Sequence, residues 1–185
     1  MKKLLAIVFL FTCIAADAQY AIGGVKIPYA FKTEEGVLLL NGAGIREKYF
    51  LDLYVGALYL KNKETDARKI YEANESMSIR LHIVSGMISS SKMNAATDEG
   101  FHKSTNGNTG PLSEKIKQFK AVFEEKIKVN DIYDLVYDTN KGMLIYKNDK
   151  LMATIPGLDF KQALFGIWLC NKPADSDLKK EMLGL

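Results

Sequence analysis

Cysteine is nearly absent from the chain. Cys13 falls in an N-terminal stretch that reads as removable, which leaves Cys170 as the single thiol and rules out an internal disulfide. Stability must therefore come from a packed core. Histidine is equally scarce. His82 and His102 stand alone, with no Cys or His at metal-ligand spacing, and neither is placed to activate Cys170 as a nucleophile. The residues imply no metal site and no cofactor. Charge of one sign is also missing: 25 Lys and Arg face 22 Asp and Glu, for a formal net charge of +3, and no dense basic run occurs, which argues against a nucleic-acid partner. Gly42-x-Gly44 lacks the third glycine and the strand-then-helix setting of a dinucleotide site. There are no internal repeats, low-complexity tracts or linkers.

The long apolar run that does exist lies at the start. Lys2 and Lys3 precede an apolar stretch from Leu4 to Ala15, and Ala16-Asp17-Ala18 has the small-x-small form of a cleavage site. Residues 1–18 thus read as a signal peptide, with Gln19 as the new N-terminus and a periplasmic or secreted location. The run is short for a membrane span and no stop-transfer pattern follows, so no transmembrane anchor is expected in the mature chain. Loss of Lys2, Lys3 and Asp17 takes the net charge from +3 to +2. Residues 19–185 are long enough for one domain with a sizeable core.

Alternation and capping signals divide that domain. Gly23 to Phe31 is a lead-in in which Pro28 favours an edge or a strand start, and Glu34-Glu35-Gly36 is a turn into a strand from Val37 to Leu40. The stretch Leu39 to Leu60 opens with Gly42 and Gly44, taken as a tight glycine turn. It then passes Arg46 into one long apolar strand with Tyr54 and Arg46 on the same side. Thr65 is the expected cap of a short helix to Tyr71. Ser78 to Val84 alternates, with Ile79, Leu81 and Ile83 on one face and Arg80 and His82 on the other. A helix is predicted from the Ser89 to Ser91 caps to His102, and another from Ser113 with Ile116, Phe119, Val122 and Phe123 on one side. Asp131 to Asp138, Gly142 to Lys147 and Leu151 to Ile155 read as a three-strand meander. Asp159 is the expected cap of an amphipathic helix carrying Phe160, Ala163, Leu164, Ile167 and Trp168. Asp175 starts a last helix, Ser176 to Leu183. The pattern is that of a single α+β domain, an antiparallel sheet with helices on one face.

Arg46 is the candidate binding residue. A planar cation at the end of an apolar channel suits a carboxylate or phenolate, and Tyr54 offers a second donor. The alternative is an ordinary salt bridge to Glu47 or Asp52 beside a core tyrosine.

The segment G-A-G-I-R-E-K with L-Y-V-G-A-L-Y-L, and the later A-L-F-G-I-W-L-C-N-K-P-A-D-S-D-L-K, resemble the chalcone isomerase-like family in content and order. The resemblance implies an open-faced β-sandwich, a large antiparallel sheet with a helical layer over one face and a small flanking sheet. The family holds isomerases, plastid fatty-acid binders and exported bacterial proteins, and the closest likeness is to the exported, non-catalytic branch. By this resemblance Arg46 and Tyr54 match the arginine and tyrosine that hold a fatty-acid carboxylate. The isomerases carry a threonine where Tyr54 stands, and their tyrosine falls near Ser89 to Ser91, where none is present between Tyr71 and Tyr133. Ile167 and Trp168 fall where the enzymes contact the far ring of the ligand. The implied function is binding of a fatty acid or similar amphipathic anion without isomerase activity. An isomerase or lyase acting on a phenolic or enone substrate, and a ligand-free exported scaffold, are the alternatives.

Overall fold

The computed structural model describes residues 19–185, so the leader expected over residues 1–18, Cys13 included, lies outside it. Among the described residues, nine strands form two antiparallel sheets. The small one pairs β1 (Gln19–Ile22) with β2 (Val25–Pro28). The large one contains β3 (Ala30–Thr33), β4 (Gly36–Lys48), β5 (Leu51–Leu60), β6 (Met77–Ile83), β7 (Ile132–Asp138), β8 (Gly142–Lys147) and β9 (Lys150–Ile155), in chain order. The described residues also form five α-helices: α1 (Ala67–Glu72), α2 (Ser90–Ser104), α3 (Ser113–Ala121), α4 (Leu158–Leu169) and α5 (Ser176–Met182).

Alternation decides what each face of the sheet meets. Met77, Ile79, Leu81 and Ile83 of β6 join Leu58, Leu135 and Ile145 in a core under the helices. There Phe101 of α2, Phe119 of α3 and Phe160 of α4 have ring centroids 5.6–6.1 Å apart. Val55, Ala57 and Tyr59 of β5 point the other way, into a second cluster with Val25, Ile27, Leu38 and Leu40 that the small sheet covers. The central β5 is thus buried on both faces, as its composition predicts. Beyond the small sheet the second face becomes more polar, with Ser78, Asp134 and Asp138 buried on it. There Arg80 pairs bidentately with Asp134, at 2.7 and 2.9 Å, and lies over Phe31. The turn between β3 and β4 is tied to the turn between β7 and β8, because the Glu35 carboxylate accepts from the Thr139 N–H at 2.7 Å and its hydroxyl at 2.5 Å.

The stretch Leu39 to Leu60 differs from expectation. It is not a glycine turn followed by one strand but a hairpin, whose β4 and β5 meet at a two-residue turn, Tyr49-Phe50. Gly42 and Gly44 are inside β4. A Cβ on Gly42 would strike the carbonyls of Glu181 and Met182, and one on Gly44 the Glu181 carboxylate. Gly56 of β5 similarly lies under Leu178. The glycines form a flat bed on which α5 rests directly on backbone. Gly42→Ala must lift α5 from that bed. The expected result is a loss of about 1–3 kcal/mol, as for other overpacked sites, read as a lower denaturant midpoint at unchanged slope.

Two expected caps also move. Asp66, not Thr65, caps α1, its carboxylate accepting from the Arg68 and Lys69 N–H groups. Gly157 precedes α4 with no side-chain cap, while Asp159 sits in the first turn and binds Lys115 at 2.8 Å. Nor is α4 amphipathic in its surroundings. It is buried from Phe160 to Leu169 except at Gln162, Lys161 included.

Candidate functional site

Arg46 and Tyr54 share a face because they are direct cross-strand partners in the β4–β5 hairpin. Both lie on the helix side. The Arg46 guanidinium donates through Nη1 to Asp175 Oδ2 at 2.9 Å, an ion pair with both side chains mostly shielded. Asp175 is the cap of α5, and its other oxygen, Oδ1, accepts from the N–H groups of Asp177 at 2.9 Å and Leu178 at 3.1 Å. Burial alone would raise the Asp175 carboxyl. The Leu178 N–H, Arg46 and the Asp177 N–H overcome that and hold it below the usual carboxylate range.

Tyr54 is buried, and its hydroxyl accepts a hydrogen bond from Trp168 Nε1 at 3.0 Å. Burial pushes the phenol upward against the opposing effects of Trp168 and Arg46, so it stays neutral and keeps its proton. A tyrosine hydroxyl can donate as well as accept. Among the described residues that proton meets no acceptor, since the bond from Trp168 uses only an oxygen lone pair. The site therefore combines a cation that holds a carboxylate with a neighbouring buried donor that holds nothing.

Trp168 is the penultimate residue of α4, with its ring in the helix-side core. Ile167 points elsewhere: it fills the space left by Gly100 of α2, where a Cβ would approach its side chain to 2.8 Å. The structure thus brings Arg46, Tyr54 and Trp168 together, adds Asp175, and seats Ile167 against α2. The salt bridge anticipated for Arg46 exists, but its partner is neither Glu47 nor Asp52. Asp175 announces itself in sequence only as a helix cap, and nothing at a separation of 129 residues marks it as the partner.

Three cavities lie away from this cluster. One of about 530 Å³ lies on the second sheet face around Phe31, Arg80, Asp134 and Tyr146. A second of about 320 Å³ lies between α1 and the segment joining α4 to α5, and a third of about 540 Å³ between α2 and α3. Arg46, Tyr54, Ile167 and Trp168 line none of these three. Cys170 is free and buried, and no group of three or more His, Cys, Asp or Glu among the described residues could hold a metal ion. No helix among them is long and apolar enough to cross a membrane.

A family model described as chalcone isomerase-like matches residues 19–184. No curated protein matches the chain. Among solved structures, a fatty-acid binding protein of Arabidopsis thaliana has the same fold, with a TM-score of 0.71 at 18% identity over 90% of this chain and 96% of that one.

Proposed function

Because the chain belongs to the chalcone isomerase-like family, we propose that it binds a fatty acid or similar amphipathic anion between the sheet and the helices. Arg46 receives the carboxylate in place of Asp175, and Tyr54 donates its unused proton to the same group. The observation that carries this reading is that Arg46 already holds a carboxylate, at 2.9 Å, beside a buried phenol with a proton to give. Asp175 is then a built-in competitor. When α5 gives way, the apolar tail follows Tyr54 and Trp168 into the helix-side core, gaining roughly 0.8 kcal/mol per methylene before the cost of ordering the chain. The similarity to a fatty-acid binding protein supports the ligand class. The leader over residues 1–18 supports an exported setting.

The test is a titration of delipidated protein with fatty acids of increasing length. Asp175→Asn removes the competing charge and retains an oxygen to cap α5. Hydrogen bonds to charged groups are worth about 1.5–3 kcal/mol, so affinity is expected to rise roughly tenfold. Arg46→Ala is expected to weaken binding about a hundredfold. Absence of saturable binding, or binding indifferent to both changes, would sink the proposal and favour the ligand-free scaffold.

A further inference from the structure

The turn that joins β4 to β5 is unusual in both conformation and content. Tyr49 has φ 54° and Phe50 φ 63°, left-handed at both positions. A two-residue hairpin turn of this kind favours Asn-Gly, and bulky side chains rarely adopt the conformation. Both aromatic side chains nonetheless point into solvent, 83% and 96% exposed. Nothing in the packing of the fold accounts for aromatics at this point.

Other apolar side chains project from the same end of the sheet. Leu51 opens β5 and is exposed. The segment after β6 is fastened to β5 by bonds from the Val84 and Ser85 N–H groups to the Leu53 carbonyl, at 3.0 and 3.2 Å, and it presents exposed Met87. Val129, also exposed, reaches Gly86 of that segment. The charges interspersed here are of both signs: Glu47, Lys48, Asp52, Lys92 and Lys128. Lys48 Nζ lies 5.6 Å from the Tyr49 ring centre, and Lys92 Nζ binds the Met87 carbonyl at 3.1 Å.

We propose that this aromatic hairpin tip, with Leu51, Met87 and Val129 around it, docks on the interface of a lipid bilayer from which the ligand is drawn. The inference rests on the fatty-acid reading for its purpose. Its physical basis is separate. A stable protein interface needs roughly 800 Å² per partner with a continuous, complementary centre. Here the apolar groups are separate projections with charges between them. A fluid interface accepts such projections without a matching surface. Aromatic side chains suit its headgroup zone, and lysines beside them can turn their charge outward. The mixed signs make apolar insertion, not attraction to anionic lipid, the driving force. Location fits the purpose, since Arg46 stands three residues before Tyr49, roughly 10 Å along the strand.

The test compares wild type with the double variant Tyr49→Asn, Phe50→Gly, which places the preferred residues in the turn. Its melting temperature is expected to equal or exceed that of wild type, and its fatty-acid affinity in solution to be unchanged. Wild type is expected to sediment with phosphatidylcholine vesicles, equally when phosphatidylglycerol is added and equally at high salt. The variant is expected to lose at least tenfold in vesicle binding and in the rate of transfer of a fluorescent fatty acid from vesicles. Wild type that ignores both vesicle types, or a variant that binds them equally well, overturns the proposal. So does a concentration-dependent dimer that the variant abolishes, which assigns the tip to a second copy of the chain. Vesicle binding without saturable fatty-acid binding leaves the docking standing and removes the ligand reading.

Discussion

Lys161→Met is expected to lower the unfolding free energy by about 3–5 kcal/mol, because it leaves three buried carbonyls unsatisfied at about 1–3 kcal/mol each, less the relief of burying no charge. Lys161 is fully buried in α4, and its ammonium donates to the carbonyls of Ile70 at 3.0 Å, Tyr71 at 3.1 Å and Ala73 at 2.7 Å. These carbonyls belong to the end of α1 and the residue that follows, where helical carbonyls lack intrahelical donors. Lys161 thus terminates α1 from another helix, three donors meeting three acceptors, between the rings of Tyr137 and Phe165. Methionine fills the space and leaves all three acceptors dry. Chemical denaturation of the two proteins measures the loss.

The same residue gives stability a pH dependence. Burial pulls the Lys161 amine down to about 7, against a weaker upward effect of Glu75. Above that value the folded protein holds fewer protons than the unfolded chain, whose lysine titrates near 10.4. Stability must then rise with pH above about 7, because the unfolded state binds the extra proton. Between pH 7 and 9, below the titration of the tyrosines, wild type is expected to gain stability relative to Lys161→Met. A flat difference across that window would show that the three carbonyls retain the ammonium form.

Trp168→Ala is expected to cost a similar 3–5 kcal/mol. The indole is 5% exposed, fills the core beside Tyr54 and supplies the hydrogen bond to its hydroxyl. Trp168→Phe separates the two contributions, since it keeps most of the ring volume and is expected to cost about 1 kcal/mol for the lost bond. Trp168 is also the only tryptophan, so intrinsic emission reports this site alone. Addition of a fatty acid that binds by an independent measure is expected to shift that emission. Unchanged emission would mean that Trp168 is core alone and takes no part in the wall of a ligand site.

The parts of the fold that rest on local rules were legible in the sequence. The alternation of Ile79, Leu81 and Ile83 marks the buried face of β6, and Ser89 and Asp175 cap the helices that follow them. The hairpin at Tyr49-Phe50 was not legible, because it contains none of the residues that signal a turn and the apolar run continues through it. Lys161 misleads for a related reason. Helical periodicity gives α4 a polar side, and only the end of α1, nearly ninety residues earlier in the chain, makes that side interior. Parity along one strand puts Arg46 and Tyr54 on the same side, whereas they share it as cross-strand partners of the hairpin. Their juxtaposition with Asp175 depends on α5 lying on Gly42, Gly44 and Gly56, which no local pattern conveys.

That glycine bed also orders events in time. Strands β3 to β9 each pair with the next in the chain, and apart from the β6–β7 connection, which runs through α2 and α3, the large sheet can grow by closing short loops. The contact of α5 with β4 closes a far longer span: the Asn41 side chain donates to the Met182 carbonyl across 141 residues. During synthesis the bed is made early and stays uncovered until α5 arrives. Closure of α5 then belongs on the native side of the folding barrier. Gly42→Ala would in that case leave the folding rate nearly unchanged and express its whole effect as faster unfolding.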